Sequence, residues 1–209
     1  MKALLYKDFI TLWKNLKNYL LMCVIFQVAS IAGEDFAFMR FYPLILVSSL
    51  PHTLLAYDER SGWEKYALAL PVSRRKMVGE KYLVGLLLLA VSFLLAAVTG
   101  LIRFWREGFF DPFDYWFELS VLLTLGISVM SVALPMTFKL GTEKGRMANM
   151  VCYGILGGVL VLVVLVGDKL GLSQMSFNEW IIVPFLVIPV VVLPASWALS
   201  VHWYEKREF

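Results

Sequence analysis

His52 and His202 are the only imidazoles among the 209 residues, and neither is placed for the chemistry an imidazole usually performs. A serine protease working inside a membrane needs its nucleophile opposite a histidine on a facing span. His202, however, falls at or beyond the last apolar run, and His52 has no acidic residue in its own run. The HExxH spacing of a helical zinc site is absent. So is the glycine loop with Lys and Ser or Thr that cradles nucleotide phosphates, which leaves the chain without an ATP site of that kind. No carboxylate lies deep in an apolar run, where a proton- or sodium-coupled carrier usually keeps one. Cys23 and Cys152 both lie within apolar runs and read as buried free thiols, not as a disulfide or a metal site.

Binding is better supported than catalysis, and the stretch from Tyr57 to Lys81, YDERSGWEKYALALPVSRRKMVGEK, is where it concentrates. It is the longest polar interval in the chain. Ser61 followed by Glu64 has the spacing of a capping box, so a short helix is expected to start there. Trp63, Tyr66, Ala67 and Leu70 then share one face. Pro71 ends that helix, and Ser73 is placed to cap the next, which runs through Arg74, Arg75 and Lys76 into an apolar segment. A tethered helix that shows Trp63, Tyr66 and Leu70 to the cytoplasm suits a helix-in-groove contact with a partner protein. An interfacial helix whose aromatics rest among headgroups is equally compatible with the pattern.

The elements that hold this helix are apolar. With 60% hydrophobic and 17% charged residues and a mean hydropathy of +0.74, the chain reads as an all-α integral membrane protein forming one transmembrane domain over residues 1–209. Residues 1–18 carry Leu5, Phe9, Leu12, Trp13 and Leu16 on one face and Lys7, Thr11, Lys14, Asn15 and Asn18 on the other, which predicts an interfacial helix. No small-residue cleavage site follows, so the mature chain is expected to begin at Met1. Six spans are predicted at about 16–32, 36–56, 82–102, 116–138, 150–166 and 180–201, with 57–81 as the loop between the second and third. Gly33, Glu34 and Asp35 make a turn, Lys139–Asn149 a second polar break, and Gly167–Glu179 an outer loop. Arg40 is expected to snorkel to the interface. Pro184, Pro189 and Pro194 imply a kinked last span whose freed carbonyls must be met by neighbours or water.

Six spans put both termini on one side, and basic residues decide which. Of the 19 Lys and Arg residues, all but Arg40, Arg103, Arg106 and Lys169 lie on the terminus side. The positive-inside rule then makes the termini and the 57–81 loop cytoplasmic, with an acid-rich outer face.

DERSGWEKYALALPVSRRKMVGEKYL resembles the cytoplasmic loop of small six-span permeases of the ABC-2 type. There, an acidic-Ser-Gly-Trp-aromatic run precedes Leu-Pro-Val-Ser-Arg and a Lys-Tyr that opens the third span. KLGTEKGRMAN resembles the shorter cytoplasmic loop of the same family. The resemblance covers essentially the whole chain. It implies a bacterial cytoplasmic-membrane permease with no cofactor of its own, ATP and Mg being bound by a separate ABC ATPase. Ser61, Gly62, Trp63, Glu64, Tyr66, Ala67 and Leu70 would then form the coupling helix, and Gly141, Thr142, Glu143 and Lys144 a second cytoplasmic contact. A second permease chain, the lipid bilayer and an amphipathic peptide cargo, as in exporters of phenol-soluble modulins or bacteriocins, are the other implied partners. Nucleic acid is not among them. A non-transporting membrane scaffold and a secondary carrier remain as alternatives.

Overall fold

The computed structural model describes residues 2–32, 39–69, 72–108, 111–151, 153, 154, 158 and 182–207, and no strand occurs among them. The helices are α1 (Lys2–Asn15), α2 (Lys17–Ala29), α3 (Phe41–Arg60), α4 (Trp63–Leu68), α5 (Arg74–Glu107), α6 (Pro112–Leu140), α7 (142–151) and α8 (Ile182–Glu205). Arg74–Arg106, Pro112–Leu140 and Phe185–Glu205 are long and apolar enough to cross a membrane. The described residues are therefore those of an all-helical protein with three helices able to cross a membrane. α2, at 13 residues, is about 20 Å long at 1.5 Å per residue, short of the ~30 Å apolar layer.

Local chemistry accounts for several of the boundaries. Asp111 caps α6 by accepting the Phe113 N–H at 2.8 Å, and Pro112 occupies the first helical position, where its missing N–H costs nothing. Ser73 stands at the predicted cap of α5 in an extended conformation, without a side-chain hydrogen bond. The helix expected over 1–18 is instead divided at Leu16, whose backbone leaves the helical region (φ −120°, ψ 7°) while its side chain stays in the core beside Leu12. The predicted stripe of α1 is itself split. Leu4 and Leu12 face inward, whereas Phe9 and Trp13 face out.

The second polar break also differs from expectation. α6 runs to Leu140 and α7 begins at 142, so only Gly141 intervenes, at φ 81°, a conformation that an L side chain resists. Leu70, Pro71, the 33–35 turn, Cys152, most of the 150–166 span and the 167–179 loop lie outside the described residues.

Three apolar clusters run the length of the bundle. One joins Leu55, Tyr82, Met130, Leu134, Phe138 and Tyr204; the second gathers Leu12, Leu16, Val47, Leu50, Leu54 and Val84; the third unites Leu44, Ala96, Phe104, Tyr115 and Leu122. Arg40 does not snorkel. It is 2% exposed, and its Nη2 lies 2.6 Å from Glu118 Oε1, because a guanidinium within reach of a carboxylate can be buried as a pair.

Two of the prolines, Pro189 and Pro135, are answered by neighbouring hydroxyls. Pro189 cannot donate to the Phe185 carbonyl, and Thr124 of α6 donates to that oxygen instead. Pro135 likewise frees the Ser131 carbonyl, which accepts from Ser196 Oγ of α8 at 2.7 Å. Tyr82 extends the second contact, with its hydroxyl 2.6 Å from Ser196 Oγ and 2.8 Å from Ser200 Oγ. α6 and α8 thus each supply the donor that the other's proline removed. Thr124→Val and Ser196→Ala should each lower stability by about 0.6–1.7 kcal/mol in equilibrium unfolding of the purified protein in detergent. Wild-type stability in both would show that these hydroxyls do not hold the helix pair.

Candidate functional site

The last turn of α3 brings the polar ends of the molecule together. Asp58 and Glu59 stand at a helix C-terminus, where the macrodipole disfavours a carboxylate. Each is therefore expected to need cationic partners, and both have them.

Asp58 belongs to a buried ionic cluster. Lys7 of α1 sits 2.6 Å from Asp58 Oδ1 and 3.0 Å from Asp8 Oδ1. Lys81 of α5 lies 2.5 Å from Asp8 Oδ2, 2.7 Å from Asp58 Oδ2 and 3.6 Å from Glu80 Oε2. Asp8 is fully buried and the Lys81 side chain is 4% exposed. Asp8 and Asp58 thus share two ammonium groups with little water, and the third carboxyl, Glu80, is pushed up to about 8 by burial and by its hydrogen bond with Asp8, to which it donates. Burial by itself would raise the Asp8 carboxyl; hydrogen bonding with Glu80 and the Lys81 and Lys7 charges reverse this and hold it below the ordinary carboxylate value. No group of three His, Cys, Asp or Glu side chains among the described residues is arranged to hold a metal ion.

The short helix α4 is attached to this cluster through Trp63, whose ring lies 4.8 Å from Lys7 Nζ. Trp63 also packs against the cluster that contains Ala67 and Val78. The expected outward aromatic face is therefore corrected: Trp63 and Ala67 turn inward, and Tyr66 is 63% exposed. One helical stripe is too wide to lie on one side of so thin an element once Lys7 draws the indole in. Ser61 is not the cap. It closes α3, donating its Oγ to the Asp58 carbonyl at 3.1 Å, and Gly62 precedes α4 at φ 68°, so the capping box does not form. Glu64 lies within α4, with its side chain outside the described residues.

Glu59 organises the second contact. Its Oε2 accepts the Thr142 N–H at 2.9 Å, capping α7, and its Oε1 lies 3.3 Å from Arg207 Nη2 near the C-terminus. Burial opposes its ionisation, but the Thr142 hydrogen bonds and Arg207 outweigh it, so the Glu59 carboxyl ionises below its usual value. Gly141 is buried beneath this junction, and Glu143 and Lys144 are exposed. Arg74 completes the end of the bundle by donating to the carbonyls of Tyr204, Glu205 and Arg207 at 3.1, 2.7 and 3.0 Å, which anchors α8 to the start of α5.

The predicted residues 61–67 and 141–144 thus occupy the same end of the bundle, joined through adjacent residues of α3. Lys7, Asp8, Asp58, Glu59, Glu80, Lys81 and Arg207 were missed by sequence reasoning. One signal was available: Asp8 lies at i+4 from Leu4 and i−4 from Leu12, and a carboxylate on an apolar face demands a cation.

The profile of the family described as ABC-2 family transporter protein matches residues 3–205. No curated protein and no solved structure matches the chain.

Breaking a buried ion pair from one side costs about 3–5 kcal/mol, so Lys81→Met should strongly destabilise the protein in detergent unfolding. In a double-mutant cycle with Asp8→Asn, coupling above ~1 kcal/mol is expected for groups in contact; additive losses would show that the pair is not energetically linked. Glu59 is depressed, so its contribution is present above the ordinary carboxylate pKa and declines as pH falls through the lowered value. Glu59→Gln should accordingly flatten the acid limb of stability against pH; an unchanged limb would exclude Glu59 as a contributor.

Proposed function

The chain belongs to the ABC-2 transporter family, and on that premise we propose that it is the membrane-spanning permease subunit of an ATP-driven exporter. Family membership implies an ABC ATPase as partner. In our reading six spans cross the cytoplasmic membrane, near 16–32, 36–56, 82–102, 116–138, 150–166 and 180–201. α1 lies in the interface, both termini are cytoplasmic, and α4 is the coupling helix within the 57–81 loop. ATP and Mg bind the partner, two permease chains pair, and the cargo is an amphipathic peptide or similar amphiphile.

The observation that carries this reading is the setting of α4. It has six residues between two long helices, its inner side is held by Trp63 and Ala67, and Tyr66 is exposed at the end of the bundle rich in basic residues. A helix held this firmly on one side and bare on the other can transmit displacement of a docked partner to α3 and α5 as a rigid-body shift. The contact predicted at Gly141, Thr142, Glu143 and Lys144 adjoins it through Glu59.

A secondary carrier would draw on the buried Arg40–Glu118 pair. Glu118 lies within two turns of the start of α6, near interface depth instead of the midplane, so the ATP-driven reading takes precedence.

Tyr66→Ala should leave folding intact and weaken co-purification of the partner ABC ATPase by about tenfold, equivalent to ~1.4 kcal/mol. Trp63→Ala should also weaken it by freeing α4 from Lys7. Unchanged association and transport in both variants would remove α4 from the coupling role. Transport that persists without ATP but collapses with the proton gradient would favour the carrier.

A further inference from the structure

Between the ends of α3 and α6 and the start of α7 lies a polar hollow of about 330 Å³, whose wall includes His52, Arg60, Thr142, Glu143, Lys144 and Arg146. Its size falls at the lower end of the range for ligand pockets, roughly 300–1,000 Å³. We propose that this hollow binds the phosphate of an anionic phospholipid headgroup from the adjacent leaflet, with an acyl chain lying along α7.

The net charge of the hollow is positive and complements an anion. Glu59 also lines it, but that carboxylate is already engaged by Arg207 and the Thr142 N–H. Glu143 then faces Arg60, Lys144 and Arg146, none of which forms an ion pair within the molecule among the described residues. A surplus of positive charge remains in a concave site, unlike the Lys7–Lys81 cluster, where Asp8 and Asp58 match the two ammonium groups. His52 adds a polar wall, its Nδ1 2.6 Å from Thr137 Oγ1.

The surface beside the hollow selects a lipid over a free phosphate. Lys144, Met147 and Val151 fall at i, i+3 and i+7, so one face of α7 passes from a cation to apolar side chains. Met147 is 68% and Val151 63% exposed, and Met150 beside them is 64% exposed. A cationic hollow continued by an apolar stripe complements a phospholipid, with its phosphate above a hydrocarbon chain. Basic pockets between helices at the inner leaflet bind lipid phosphates in this manner. The hollow shares Thr142, Glu143 and Lys144 with the second cytoplasmic contact but includes no residue of α4, so its failure would leave the docking of α4 untouched.

The test is native mass spectrometry of the full-length protein in detergent, titrated with dioleoylphosphatidylglycerol or dioleoylphosphatidylcholine. Phosphatidylglycerol should bind at least about tenfold more tightly, and Arg60→Ala/Lys144→Ala/Arg146→Ala should reduce that preference to about twofold or less. Lys14→Ala/Lys17→Ala/Lys206→Ala, which removes equal charge elsewhere, should retain it. If the first triple variant does not purify, Lys144→Ala alone decides, because that exposed side chain makes no ion pair among the described residues. Equal affinity for the two lipids, or equal loss in the two triple variants, would overturn the site. Displacement of phosphatidylglycerol by millimolar inorganic phosphate would overturn the lipid as its occupant.

Discussion

Two adjacent carboxylates at the end of α3 hold the polar end of this protein together. Asp58 takes Lys7 from the first helix and Lys81 from the fifth, while Glu59 takes Arg207 from the C-terminal segment and the N-terminal amide of α7. Their place at a helix C-terminus would cost each about 0.3–1 kcal/mol if they were left alone. Four separate segments supply the compensation, so these segments cannot move independently without exposing a charge. The cluster around Lys81 is the less forgiving of the two. Its charges are buried, and desolvation makes a broken pair far more costly than an intact one is favourable.

The apolar part of the bundle obeys a different constraint. Water is unavailable there to satisfy a carbonyl that a proline has released. Thr124 and Ser196 meet that need across the α6–α8 interface, with Tyr82 reaching in from α5. The same prolines that loosen each helix therefore specify how the two pack, because only one register brings each hydroxyl to the freed oxygen. At the far end Arg40 and Glu118 join the start of α3 to α6, and Arg106 donates to the Ala32 carbonyl beyond α2 at 2.7 Å.

In the proposed exporter these constraints define what can move. α4 is anchored through Trp63 to Lys7, and Lys7 is anchored to Asp58, so a push on Tyr66 reaches α1 and α3 together. α5 joins the same unit through Lys81 and is linked to α8 by Arg74. Gly62 and Gly141, both at positive φ, mark the turns beside this unit. A carrier of force from a cytoplasmic partner needs this combination of a rigid joint and a free outer face.

By itself, the sequence determined the helical membrane class, the polar stretch that contains α4 and the need for a partner at Pro189. Each depends on composition or on periodicity within a few residues. The family resemblance rested on the same local motifs, and the profile match over residues 3–205 agrees with it. Tertiary structure decided the rest. Helical spacing put Trp63 and Tyr66 on one stripe, but only the arrival of Lys7, 51 residues before its partner Asp58, turned the indole inward. Glu59 meets Arg207 across 148 residues and Thr142 across 83. A helix period states which residues share a face, whereas the rotation of that face and the charge brought against it are set by the packing of distant helices.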